Sequence, residues 1–599
     1  MRGMGLQSYV LELEKKGELK RVRALVDPEL EISEIAMRQV RAGGPALLFE
    51  NVKGSPFPLA INLNATPGRL SYALGMAPAE LGGRLGRLME ALQPPSLKAL
   101  WKERSSLGRA LSLRVRRLGS SPVQQVVSQP GDLLSLPALK CWPKDGGRFI
   151  TLPLVGTVDA ATGRQNLGMY RMQVFGQSLA GLHWQIVRGA EAHAAESKTG
   201  KLSVAVALGG DPALTLAAIF PLPEGMEELP FAGLLRGQAQ PLVKALTQPL
   251  WVPANAEFIL EGEVGLAERR MEGPFGDHMG HYSLAAPYPV FRMTALTHRK
   301  GAIYPATLVG KPPQEDRVWG EAINEIAGPL IKLLHPEIAG FWTYYEAGFH
   351  NLLVAAVRQR HAKQGISSAL GLMGTGQLAL TKVAMLVDAD VDPRDLAAVL
   401  RQARLHFDSS EDALIIPGTP QDTLDFTGPK MNLGSKLILD CTSGHGHRPE
   451  PPRRSPKGAG GPLNPDKLRA LLGPSLLKIK SLDGGLLALQ VRSQGARSAA
   501  LLEKALGPGQ PLLGGHPWVA LVSEDVDLED RVDLIWGIFT RFDAARDLRF
   551  SKSRLVGAWP QHEGAMGMDA THKPGYPEPL AMPQRIIRMV DSRWKEYGF

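Results

Sequence analysis

The chain repeats itself in its second half, and that repeat constrains its fold more than any single motif. The segment KVAMLVDADVDPRDLAAVLRQARLHFD at 382–408 is paralleled by PWVALVSEDVDLEDRVDLIWGIFTRFD at 517–543. In both, an Asp-Val-Asp triplet (390–392 and 525–527) ends 15 residues before a phenylalanine, Phe407 or Phe542. Upstream, LLVAAV at 352–357 matches LLALQV at 486–491. Downstream, Leu439-Asp440-Cys441-Thr442 matches Met568-Asp569-Ala570-Thr571. A period of roughly 130 residues is far above solenoid repeat lengths. The pattern, alternating helix and strand signals, therefore predicts two copies of one α/β subdomain, at 326–445 and 464–599. Between them SGHGHRPEPPRRSPKGAGGP (443–462) is rich in Pro, Gly and charge, which predicts a linker at 446–463.

Ahead of the repeat, residues 1–120 read as a mixed α/β segment. Leu6, Val10 and Leu13 fall on one face of a helix that Gly17 ends, and Pro45-Ala-Leu-Leu-Phe-Glu-Asn-Val is a short apolar strand. A helix follows at 78–92, then a basic exposed stretch at 102–117. Over 121–325 the pattern changes to short β-rich runs, at 123–128, 150–158, 202–208, 257–263 and 291–296, separated by Gly- and Pro-rich loops. That spacing predicts a barrel-like β domain with inserted helices, and a barrel mouth is a common place for a cofactor. The fold class is α/β in the mixed, α+β sense, divided among several domains because 599 residues exceed one compact core.

Composition narrows the function classes. Only Cys141 and Cys441 occur, too few to staple a protein this size, which points to a reducing, cytoplasmic setting. No signal-peptide core and no stretch of about 18 apolar residues is present. A membrane span is not expected, and peripheral membrane contact stays open. The net charge of +9 is dispersed apart from Arg448, Arg453, Arg454 and Lys457, a distribution that argues for a solvated surface or an anionic ligand rather than nucleic acid.

Polar residues with chemical potential gather in the β-rich region. Gln165-Asn166-Leu167-Gly168-Met169-Tyr170-Arg171 places an amide, a phenol and a guanidinium in one segment, and in a strand Asn166 and Arg171 would face opposite sides. Leu182-His183-Trp184-Gln185 and Arg188-Gly189 follow, then Glu227-Glu228 ahead of an apolar run. Asn166, His183 and Glu228 carry donors that suit a divalent ion, although their separations form no motif. Glu272-Gly-Pro-Phe-Gly-Asp277-His278-Met-Gly-His281 holds two carboxylates five apart on a turn-rich backbone. Such a pair can divide proton donation and field tuning, with an arginine such as Arg171 opposite. The bland alternatives are a backbone-satisfied core histidine at 183, solvated acids at 227–228 and 272–277, and a loop role for His278 and His281.

Three motifs fail on context. Gly374-Thr-Gly376-Gln-Leu-Ala379 has a strand after it, where a dinucleotide site needs a strand before and a helix after. Asp388-Ala-Asp390-Val-Asp392 opens like a calcium loop, but Pro393 stands where glycine is needed. Cys441, His445 and His447 lack a fourth zinc ligand.

Together these phrases resemble the UbiD family of carboxy-lyases. GELKRVRALVDPELEISEIAMRQVRAGGPALLFENVKG, NLGMYRMQV, LHWQIVRG, ALGGDPALTLAAIFPLPEG, FAGLLRG, VPANAEFILEG, EGPFGDHMGHY and NLGSKLILDCT occur in the family's order. The resemblance implies a central split-barrel flavin-binding domain and non-oxidative decarboxylation of an aromatic or unsaturated acid through a covalent adduct with prenylated FMN. It places Asn166, His183 and Glu228 on divalent-metal ligands, manganese by preference, with a potassium-like cation beside them. It places Met169, Tyr170, Arg171, His183, Trp184, Gln185, Arg188 and Gly189 on flavin contacts and Lys436 on the phosphate. It makes Arg171, Glu272 and Asp277 the catalytic set, with Asp277 the proton donor. It implies a homodimer or larger homo-oligomer, supplied with cofactor by a flavin prenyltransferase. The duplicated subdomain resembles the long branch tied to menaquinone, whose substrates are dihydroxynaphthoate-type acids; polyprenyl-4-hydroxybenzoate is the runner-up. From other classes, a flavin-binding redox protein would not need Glu272 or Asp277, and a scaffold would use the duplication as a binding surface.

Overall fold

A computed structural model describes residues 5–91, 96–159, 162–183, 200–223, 225–444, 462–492 and 497–599. The chain forms two compact units, Met1–Ile326 with Glu578–Phe599, and Ala327–Pro577.

The first unit combines the two regions that the sequence separates at residue 120. Its opening helix, Leu6–Lys15, buries Leu6, Tyr9, Val10 and Leu13 on one face and stops before Gly17, whose φ of +72° a side chain would resist. Among the described residues a four-stranded sheet joins Leu19–Val26, Ala46–Val52, Leu59–Ile61 and Tyr304–Pro305. Among the described residues a second sheet has nine strands and does not close on itself. Its centre is a long antiparallel pair, Phe258–Glu272 and Ala286–His298, flanked by Lys201–Leu208 on one side and Leu179–Leu182 on the other. The apolar cores of the two sheets merge, Val22, Leu47 and Ile61 with Leu182, Val206, Leu260 and Phe291.

The long pair exceeds the short runs read from the sequence. Gly265 to Met271 is mostly exposed and strongly charged, so apolar content hides a strand that pairing with 286–290 maintains. Register shifts at 261/262 and 265/269 bend it, as bulges do near the ends of curled sheets.

Residues 578–599, assigned above to the second copy, join the first unit instead. Val590 of the helix Gln584–Arg593 is fully buried in that unit's core. Glu31 receives the Tyr597 hydroxyl at 2.5 Å and an ion pair from Arg593, while Arg38 pairs with Asp591 at 2.7 Å. Adjacency in sequence concealed this return.

The second unit shows the duplication in register. The described strands form two five-stranded sheets of one order. They are Ile338–Thr343, Leu352–Val357, Val383–Asp388, Leu433–Asp440 and Ala413–Pro420, then Leu476–Leu482, Leu486–Val491, Trp518–Ser523, Trp559–Ala570 and Leu548–Val556. Leu352 pairs with Val383 and Val383 with Leu437; likewise Leu486 pairs with Trp518 and Trp518 with Met566. Their apolar faces meet in one core containing Val354, Met385, Leu439, Ala520, Trp536 and Phe542. Gly376–Leu380 is a short 3-10 turn before a strand, in keeping with the rejected dinucleotide motif.

Candidate active site

The long antiparallel pair positions the acids. Glu272 ends one strand and Ala286 begins its partner opposite it, so the EGPFGDHMGHYS segment is the loop that the pair holds up. Two buried side chains pin that loop. Gln173 accepts from Gly273 N at 2.8 Å and donates to Gly146 O at 2.8 Å. Asp145 accepts from Gly276 N at 2.8 Å through one oxygen and from Cys141 N and Trp142 N through the other. Burial pushes the Asp145 carboxyl up to about 7, against those three donors. Glycine is needed at 276 because a Cβ there would lie 2.2 Å from Trp142.

Arg171 sits in the break between the strands Gln165–Met169 and Met172–Val174. Its Nε and Nη2 donate to the two Glu272 oxygens at 2.9 and 3.2 Å. Nη1 donates to Asp277, and Nη2 reaches Ser283 Oγ at 3.0 Å. The guanidinium lies 4.6 Å from the Phe275 ring centre. His183, just after the strand Leu179–Leu182, places Nδ1 3.1 Å from Glu272 and stacks its ring 4.1 Å from Tyr288. Arg171, Glu272, Asp277 and His183 are all buried.

The charges are unevenly matched, one arginine serving two carboxylates. Burial alone would raise Glu272, but the His183 hydrogen bond and Arg171 hold it below its usual range. Burial would also raise Asp277, yet His278, through its backbone N at 2.8 Å and its ring, and Arg171 hold it well below. Burial, then Arg171, lowers His183, so the imidazole is neutral near pH 7. Of the five guanidinium N–H groups, one on Nη1 is left over for a further acceptor.

The other anticipated residues fall in different places. Glu228 opens the helix Glu228–Arg236 and accepts from Leu167 N at 3.0 Å, beside Asn166, whose Nδ2 is buried without a partner. Among the described residues no cluster of three His, Cys, Asp or Glu side chains is arranged to hold a metal. The amide of Asn166 completes a mixed donor set only together with His183 and Glu228. His183 keeps Nε2 for a ligand while Nδ1 rests on a carboxylate, the arrangement of most metal-bound histidines. The residues present fit a divalent ion in this chemical sense.

Tyr170 is a core residue whose ring occupies the space beside Gly168, where a Cβ would clash at 2.5 Å. Met169 ends its strand half-buried. Lys436 belongs to the second unit, where its ammonium donates to Ala379 O at 2.5 Å and Thr381 O at 2.8 Å, and burial lowers it to about 8. Trp184, Gln185, Arg188 and Gly189 lie outside the described residues. Sequence reasoning missed Asp145, Gln173, Ser283 and Tyr288. Only Ser283 carried a signal, its place just past the acidic loop.

Three family models match in order: the 3-octaprenyl-4-hydroxybenzoate carboxy-lyase N-terminal domain at 10–89, the Rift-related domain at 115–312 and the C-terminal domain at 317–441. The last match ends where the first copy ends. An uncharacterised protein of Chlamydia trachomatis is 40% identical over 99% of both chains. A Chlamydia pneumoniae protein named as part of a 4-hydroxybenzoate decarboxylase is 37% identical over 99% of this chain and 98% of its own. The vanillic acid decarboxylase of Sedimentibacter hydroxybenzoicus shares the fold at a TM-score of 0.66 and 24% identity, covering 75% of this chain and 94% of its own. A UbiD-class enzyme of Pelotomaculum thermopropionicum, solved with FMN, superposes at 0.62 with 25% identity, covering 76% and 98%. The order of the matched domains and the full-length relatives leave one assignment: this chain belongs to the UbiD family of carboxy-lyases.

Proposed function

We propose that the chain decarboxylates an aromatic or unsaturated acid at the Arg171–Glu272–Asp277 cluster, with prenylated FMN as its cofactor. The observation that carries this reading is one buried arginine shared by two carboxylates, with a single N–H to spare. Asn166, His183 and Glu228 would hold a divalent ion, manganese by preference, with a potassium-like cation beside it. When bound, the prenylated flavin supplies the electron sink that the charge left by departing CO2 requires.

The chain's own groups do the rest. Arg171 orients the substrate carboxylate through its remaining N–H. That carboxylate adds a third negative charge to a site with one arginine, which draws Arg171 away from Asp277 and raises the Asp277 carboxyl. Asp277 then takes up a proton at Oδ2, the oxygen that Arg171 releases, and passes it to the carbon that has lost CO2. Glu272 stays ionised on Arg171 and His183 and fixes the field in which Arg171 moves.

The substrate we favour is a dihydroxynaphthoate-type acid of menaquinone formation, because the duplicated unit resembles the long branch of the family. A polyprenyl-4-hydroxybenzoate or simpler hydroxybenzoate is the second reading, favoured by the name of the Chlamydia pneumoniae relative and of the family models. A homo-oligomer and a flavin prenyltransferase that supplies the cofactor complete the proposal.

The test is CO2 release on both acid classes after co-expression with a flavin prenyltransferase. Asp277→Asn is expected to lose about a hundredfold or more in turnover while retaining bound flavin. Turnover at the wild-type rate would remove Asp277 from its role.

A further inference from the structure

The outer hairpin of the second copy ends in an apolar tip. Leu548–Val556 and Trp559–Ala570 pair down to Val556 opposite Trp559, closed by Gly557 and Ala558. Gly557 has a φ of +63°, as a tight two-residue turn requires. Every residue from 552 to 560 is exposed. Leu555 is 74%, Trp559 67% and Val556 55% exposed, so three large apolar side chains meet water at one point.

The strand register shows that this is not one sticky face. Val556 and Trp559 share one side of the hairpin, and Leu555 and Pro560 share the other. The tip is therefore apolar all round. Just behind it the charge is mixed with a small positive excess: Lys552 lies opposite Glu563, and Arg554 opposite neutral Gln561, to which its Nε donates at 3.0 Å.

We propose that this hairpin is a peripheral docking device for an anionic lipid bilayer. A wedge that is apolar on both faces suits an isotropic medium, whereas a protein partner would leave one face in water. Three such side chains bury at most roughly 400 Å², about half of what each partner contributes to a standard protein interface. A bilayer needs no such area, since a few inserted side chains add to attraction between basic residues and acidic headgroups. Tryptophan also prefers the headgroup boundary, where the indole ring is apolar and its N–H stays wet.

The experiment is flotation of the full-length protein with phosphatidylcholine vesicles, with and without phosphatidylglycerol. The protein is expected to float with the phosphatidylglycerol vesicles and to be released by salt. A Leu555→Ser, Trp559→Ser double variant is expected to lose binding by about tenfold or more, with unchanged melting and unchanged turnover of a soluble aromatic acid. A Lys552→Glu, Arg554→Glu variant should lose the preference for the anionic vesicles. Failure of the wild-type protein to float, or equal flotation of the tip variant, overturns the proposal. So does a tip variant whose only change is a smaller mass at sedimentation equilibrium, since the tip would then join copies of the chain.

Discussion

In the first copy, the segment between the two outer strands, 421–432, turns inward: Gln421, Asp422, Asp425 and Thr427 are all buried. In the second copy, the same place in the sheet is the projecting hairpin. The difference extends inward. Lys382, almost wholly buried, pairs with buried Asp425 at 2.9 Å and lies 5.2 Å from the Phe542 ring of the other copy. Its counterpart is Pro517. Lys436 corresponds in register to Ala565. What both copies keep is a pair of aspartates joined by a backbone bond, Asp440 N to Asp412 O and Asp569 N to Asp547 O, each at 2.9 Å. Even there the cation arrives differently, from Lys363 ahead of a helix or from Lys573 beyond the strand. The duplicated scaffold thus tolerates either placement of charge. The copy within the family model keeps Lys382 and Lys436 in its interior, at a cost, where the other has Pro517 and Ala565, buries Arg541 instead and carries apolar surface outward on its hairpin.

That contrast can be broken most decisively at Lys382. Lys382→Ala strands Asp425 without its cation and is expected to cost about 3–5 kcal/mol in denaturant unfolding. The matching change in the second copy is Arg541→Ala. Arg541 is buried against Trp536 and grips Asp525 at 2.8 and 2.6 Å, but Asp525 is 38% exposed and can be hydrated once released. About 1–3 kcal/mol is expected there. Equal losses would show that the two copies treat charge alike.

A smaller, pH-dependent effect separates Lys436 from Ala565. Burial lowers Lys436 to about 8 from 10.5, so between those values the unfolded chain holds the proton more tightly. This lysine therefore makes stability rise with pH across that window. Lys436→Met should abolish that contribution, read as a flatter stability profile between pH 8 and 10.5, whereas a profile unchanged by the substitution would count against a buried ammonium. The smallest effect belongs to the hairpin: Leu555→Ser should change stability by no more than about 0.5 kcal/mol.

Much of this was legible in the sequence because repetition and order survive divergence. The duplication is visible in paired Asp-Val-Asp triplets, and the buried arginine–carboxylate cluster in the acids of EGPFGDHMGHY. Other features depend on register that no local pattern announces. Ser283 and Tyr288 meet Arg171 and His183 because Glu272 pairs with Ala286 across a bent ladder. Asp145 reads as an ordinary loop acid until Gly276 packs on Trp142. The long strand through LAERRME was hidden because its side chains are solvated on one face and charged.

The return of Gln584–Arg593 to the first unit has a consequence for biosynthesis. On the ribosome, the pocket that takes Val590 and Tyr597 emerges early, but its filling is made only after the whole of Ala327–Pro577. At translation speeds of about 5–20 residues per second, that is a delay on the order of tens of seconds. Throughout that interval the nascent first unit must wait with Glu31 uncompensated and an apolar seam open to water, a natural target for a chaperone.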